Sequence, residues 1–171
     1  MAERKPPGRT LTFRHSPATP TMPAEKEEPS VFDLRKVYLK DVSFESPNAA
    51  SLFQGQAGNP KIDIQLTLGN VQLNQDSLYE VELQVTVTAK IESDTVFLVE
   101  VRQAGIFSIS GLSDTELPLA LEIAAPNALL PFAREAITDL VTKGGFPQFL
   151  LSPINFEALH RQKVAETPVT H

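Results

Sequence analysis

The 171-residue chain contains no cysteine and no tryptophan, only three histidines, and no apolar run of transmembrane length. Without cysteine there is no disulfide, no thiolate nucleophile and no thiolate-held metal. His15 and His171 fall near the two ends and His160 in a weakly apolar segment, which argues against a preorganised histidine centre. No His cluster has zinc spacing and no calcium loop is present. Gly144-Gly145 lacks the spacing and the following Lys-Ser/Thr of a phosphate loop. Carboxylates recur at alternate positions (Glu80/Glu82, Asp41/Glu45), but among polar neighbours, as on a solvated face. A general acid/base pair needs burial and a raised pKa. The expectation is a protein that is not an enzyme and takes no metal or other cofactor.

Positive charge is also scarce where a fold is expected. Residues 31–157 carry eight basic and sixteen acidic groups. Phosphate binding needs clustered Lys and Arg, so no nucleic-acid partner is expected. An acidic body suits a basic partner, or solubility alone. The first thirty residues hold six of the fourteen prolines and few large apolar groups before Val31. Such a stretch cannot bury enough surface to offset its ordering entropy, so 1–30 is expected to be a flexible tail and 161–171 a second one. The absence of a secretion-signal core or a spanning segment leads to the expectation of a soluble, cytoplasmic protein with no direct membrane insertion.

What is present is alternation. In 78–91, Val81, Leu83, Val85, Val87, Ala89 and Ile91 share one face, and Glu80, Glu82, Gln84, Thr86, Thr88 and Lys90 the other. A period of two predicts a strand with one dry and one wet face. Residues 31–45 read as a long strand with Phe32, Leu34, Tyr38, Val42 and Phe44 on one face, and Val37, Leu39, Asp41, Ser43 and Glu45 on the other. A loop rich in Pro, Asn and Gly follows (46–60), long enough to suggest a function. Ile62, Ile64, Leu66 and Leu68 mark another strand. The last runs from Thr95 to about Ile109, with Phe97, Val99 and Val101 opposite Val96, Leu98 and Glu100. The short turn at Glu92-Ser93-Asp94 predicts an antiparallel hairpin. Gly105 predicts a bulge or a close backbone approach.

After Gly111 the period lengthens. Leu117–Ile123 reads as a short helix. Leu129, Phe132, Ala133, Ala136, Ile137, Leu140 and Val141 form a helical stripe, closed by Gly144-Gly145. Asn155 is placed to cap a final helix from Phe156. The fold class is α+β: a four-stranded antiparallel sheet with helices packed on one face.

Five segments, YLKDVSFESPNA (38–49), YEVELQVTVTA (79–89), FLVEVRQAGIFSISG (97–111), PNALLPFAREAITDLVTKGGFP (126–147) and PINFEALH (153–160), together resemble the SecB family of protein-export chaperones. The resemblance spans 31–160 in family order. It implies a homotetramer, a dimer of dimers, that binds unfolded preproteins, keeps them competent for translocation and passes them to SecA, the export ATPase. It implies a SecA-binding patch at Asp41, Glu45, Leu98 and Glu100, and a client-peptide groove that includes Phe53 and Phe156. Val99, Val101 and Gln103 match positions that pack subunits together. Two departures stand out: 54–60 lacks the tryptophan of some relatives, and His160 stands where an aromatic is frequent. The alternative is a SecB-like chaperone of a toxin–antitoxin pair, or another interaction module without SecA docking.

Overall fold

A computed structural model describes residues 29–55, 58–74 and 77–166. The tail expected at 1–30 therefore lies outside the described residues, except for Pro29 and Ser30. Four antiparallel strands, β1 (Val31–Glu45), β2 (Lys61–Gln72), β3 (Leu78–Ile91) and β4 (Asp94–Ser110), form one sheet in the order β1-β4-β3-β2. The helices are α1 (Ala49–Gln54), α2 (Glu116–Leu119), α3 (Ala125–Lys143) and α4 (Phe156–Glu166). The α+β expectation holds.

Alternation in β3 survives intact: Val81, Leu83, Val85, Val87 and Ala89 are fully buried, and the residues between them are only half-buried. Val99, Val101, Phe107 and Ile109 of β4 bury on the same side. That layer is closed by Leu129, Ala133, Ala136, Ile137 and Val141 of α3, a helical stripe at three- and four-residue spacing. Phe132, expected in the stripe, is 46% exposed, and Leu130 takes an inward place instead. Gly105 is the expected close approach: a Cβ there would lie 2.8 Å from Leu129 Cδ2 and 2.9 Å from Phe107 Cε2.

β1 departs from simple parity. Its pairing with β4 slips between Leu34 and Lys36 and again between Leu39 and Asp41. Each bulge inserts one residue and so reverses the faces that follow. Phe32, Leu34, Val37, Leu39, Val42 and Phe44 therefore all oppose inward-facing positions of β4. Tyr38 is turned to the open face, opposite Ala104. A third slip, between Ala89 and Lys90 of β3, leaves Val96 as the extra residue of β4 and buries it, where alternation put it beside Leu98.

The strand order explains the long connection 46–60. β1 and β2 are opposite edges, so the chain must pass about 14 Å across one end of the sheet at ~4.8 Å per strand. Ser46 fixes its start by donating from Oγ to the carbonyl of the bulged Val96 (2.7 Å). The crossing carries α1 over the end of the sheet where Phe97 emerges.

The helical run beginning at Glu116 contains a π turn at Ala120–Ala124, in which the Ala125 N–H reaches the Ala120 carbonyl. Its cause is local. Pro126 has no N–H for the carbonyl of Glu122 four residues back, and its ring would collide with that carbonyl, so the turn widens. At the other end of α3 the Phe146 N–H reaches the Val141 carbonyl (3.2 Å) and the Gly145 N–H that of Thr142 (3.0 Å), with Gly145 at φ 86°. This is the paired closure that favours glycine in the left-handed position. α4 starts as expected, its Ala158 N–H donating to Asn155 Oδ1 (3.0 Å). It continues to Glu166, so the tail expected from 161 begins too early.

Candidate functional site

Two surfaces carry the residues of interest. The first is the sheet face turned away from the helices. Asp41 pairs with Arg102, Ser43 with Glu100 and Glu45 with Leu98, so Asp41, Glu45, Leu98 and Glu100 lie together across β1 and β4 on that open face. Leu39, grouped with Asp41 by alternation, is on the opposite face because of the intervening bulge.

Beside this patch runs a paired network. Lys40, the bulged residue, bridges Glu80 and Glu82, lying 3.1 Å from the latter. Arg102 closes on Glu82 from Nη2 (2.7 Å) and Nε (2.8 Å), and the Tyr38 hydroxyl donates to Glu80. The Lys40 and Tyr38 donors hold the Glu80 carboxyl below its ordinary range. Partial burial pushes Glu82 up, but the donors from Arg102 and Lys40 outweigh it and the net direction is down. The hydrogen bond to Glu80 in turn raises the Tyr38 phenol. Both cations beside the patch are thus bound to Glu80 and Glu82. Glu100 accepts from Thr86 Oγ1 (3.2 Å), and no ion pair to Asp41, Glu45 or Glu100 occurs among the described residues.

The second surface is an apolar cavity of about 440 Å³ at the sheet end crossed by α1. Phe53 is 56% exposed, with its ring centroid 5.1 Å from that of Phe146. Phe146 also lies 5.3 Å from Phe97 and 6.3 Å from Phe44. Such tilted pairs gain beyond their buried area. Phe146 is central because the glycine closure of α3 aims it there, and Thr138 Oγ1 holds the following segment by donating to the Phe149 carbonyl (2.8 Å). Phe149, Ile62 and Ile91 line the remaining walls.

Of the two phenylalanines expected in the groove, Phe53 lines this cavity and Phe156 does not. Phe156 is 1% exposed, buried as the apolar anchor of α4, and has no surface to offer a ligand in the chain as folded. Phe146, Phe97 and Phe149 were missed. The signal was available in Gly144-Gly145-Phe146, since the residue after a left-handed glycine cap is regularly apolar and packs back on the structure.

Val99, Val101 and Gln103 are also corrected. Both valines are fully buried beneath α3, and Gln103 is 3% exposed, donating from Nε2 to the Tyr38 carbonyl (2.8 Å). With no area left over, these side chains cannot themselves touch a second copy. They build the core of their own subunit.

A sequence profile of the family described as SecB, Preprotein translocase subunit SecB, matches residues 24–167. The chain belongs to the SecB family. A protein named Protein-export protein SecB from Methylococcus capsulatus is 49% identical over 144 residues, covering 84% of this chain and 92% of the relative. Its namesake from Nitrosococcus oceani is 46% identical, covering 82% and 85%. Among solved structures, a SecB-like chaperone of Mycobacterium tuberculosis in complex with a ChAD peptide from an antitoxin superposes with a TM-score of 0.59 at 17% identity, covering 72% of this chain and 91% of that one. At that identity the likeness shows the SecB fold alone. No helix among the described residues is long and apolar enough to cross a membrane.

Proposed function

We propose that this protein is a preprotein-export chaperone of the cytoplasm that captures unfolded chains in the aromatic cavity and hands them to SecA. The observation that carries the reading is the Phe53–Phe146–Phe97 cluster, a partly open apolar cavity in a member of the SecB family. Near-half identity to export proteins over most of both chains favours export over the antitoxin-linked alternative.

Capture needs no bond made or broken. Unfolded segments present apolar side chains and unpaired backbone donors. The cavity takes the side chains, and the helix-side face of β2 leads away from it through Ile62 and Ile64 to Leu66 and Leu68, which line a second, shallower cavity of about 290 Å³. Each contact is weak, and several copies acting on one client raise its effective concentration. A homotetramer, a dimer of dimers, supplies those copies. The apolar groups left open on the helix side, Phe32, Leu39 and Val42 of β1 with Phe132 and Leu150, are suited to burial between subunits.

SecA is assigned to the open sheet face. Asp41, Glu45 and Glu100 attract a basic segment and Leu98 supplies apolar contact. Charge steering of this kind acts more on association rate than on final affinity.

The test is calorimetric binding of an unfolded preprotein to the whole chain. Phe146→Ala should weaken capture about tenfold, or about 1.4 kcal/mol. Phe53→Ala should weaken it with little change in melting temperature, because Phe53 is more exposed than buried. Unchanged capture in both variants removes the cavity from the mechanism.

A further inference from the structure

Glu122 lies in the π turn, away from the carboxylate patch and the aromatic cavity but at the shallow cavity beside β2, and both of its carboxylate oxygens are engaged by α4. His160 Nδ1 is 2.7 Å from Oε2, and Lys163 Nζ is 2.6 Å from Oε1. His160 and Lys163 are three residues apart, hence on one side of the helix. The side chains of Glu122 and His160 are only 18% and 15% exposed, so salt screens this pairing less than an open surface pair. α4 has little else to hold it. Phe156 anchors its first turn, but Leu159 is 36% exposed and Val164 60%. The shallow cavity beside β2 is walled by Leu159, His160 and Lys163 on one side and by Leu66 and Leu68 on the other, with Glu122 between them.

We infer that Glu122 is a positioning residue for client binding: it pins α4 as the far wall of the track along β2, with both carboxylate oxygens engaged by that helix. The role depends on the groove function proposed above. The physical sequence runs from Pro126, which forces the wide turn, to Glu122, which that turn presents to α4, to the helix that walls the second cavity. An ion-paired wall can be released without dismantling the apolar core, because only Phe156 connects α4 to that core as a fully buried side chain.

The experiment uses the full chain and two uncharged peptides. One is short and bears a single phenylalanine. The other has about fourteen residues, enough at ~3.3 Å each to span both cavities. Glu122→Gln keeps the shape and removes the charge. It should weaken the long peptide about fivefold, leave the short one within about twofold, and speed amide exchange across 156–166. Lys163→Gln, which leaves Glu122 in place, should give a smaller change in the same direction. Added salt should weaken the long peptide on the wild type but not on Glu122→Gln. Unchanged exchange in α4, unchanged affinity for the long peptide, or equal loss of both peptides in folded Glu122→Gln overturns the role. If the wild type binds neither peptide, the groove reading fails and this role with it.

Discussion

The two faces of the one sheet are built from the same strands yet obey different rules. On the helix side, β3 and β4 offer valine, leucine, isoleucine and phenylalanine to α3, and one large polar side chain, Gln103, is buried with its hydrogen bond made. On the open side the same strands carry Glu80, Glu82 and Arg102, held by ion pairs at the surface, and Glu100, which accepts a hydrogen bond from Thr86. The first face fixes the fold, since a buried group has nowhere else to go. The second can change its chemistry at little cost to stability, because exposed ion pairs contribute little. A binding patch on the open face can therefore be altered without disturbing the scaffold.

The largest expected effect comes from breaking the dry face. Val101→Asp places a charge with no partner beneath α3 and should cost several kcal/mol, read as loss of the cooperative melting transition. A variant that melts like the wild type would mean that the layer is looser than its packing indicates. Next, Asp41→Ala with Glu45→Ala should slow association with SecA and weaken its salt dependence, while the melting midpoint moves by less than about 0.5 kcal/mol and client capture is kept. Equal loss of SecA binding and client capture would remove the patch assignment.

The smallest effect is in acid. The folded state holds Glu80 below its ordinary value of 4.5. Its stabilising contribution is therefore complete above about that value and is lost as pH falls through the lower folded one. Glu80→Gln should lower the melting temperature slightly at neutral pH, converge on the wild type in acid, and so flatten the limb between them. A limb as steep as that of the wild type would show that the Lys40–Glu80 contact is not formed in solution.

Most of the dry face was legible because alternation and helical spacing are local properties: Val81 to Ala89, and Leu129 to Val141, can be read one residue at a time. The face assignment of β1 was not. Its bulges follow from matching β1 against β4, a partner more than sixty residues away, and they move Val37, Tyr38 and Leu39 to faces that counting by twos denies them. Phe156 failed for a related reason. Its apolar character was plain, but whether a phenylalanine fills a core or lines a groove depends on what covers it.

Side-chain period, glycine and charge act over a few residues, and they alone set a half-wet antiparallel sheet under helices, the end of α3 and the carboxylates of one face. That β1 and β2 are opposite edges, that the crossing loop brings Phe53 against Phe146, and that Glu122 meets His160 and Lys163 came from the packed fold. Those meetings join residues distant in the chain, and strand order and packing create distances that no local pattern encodes.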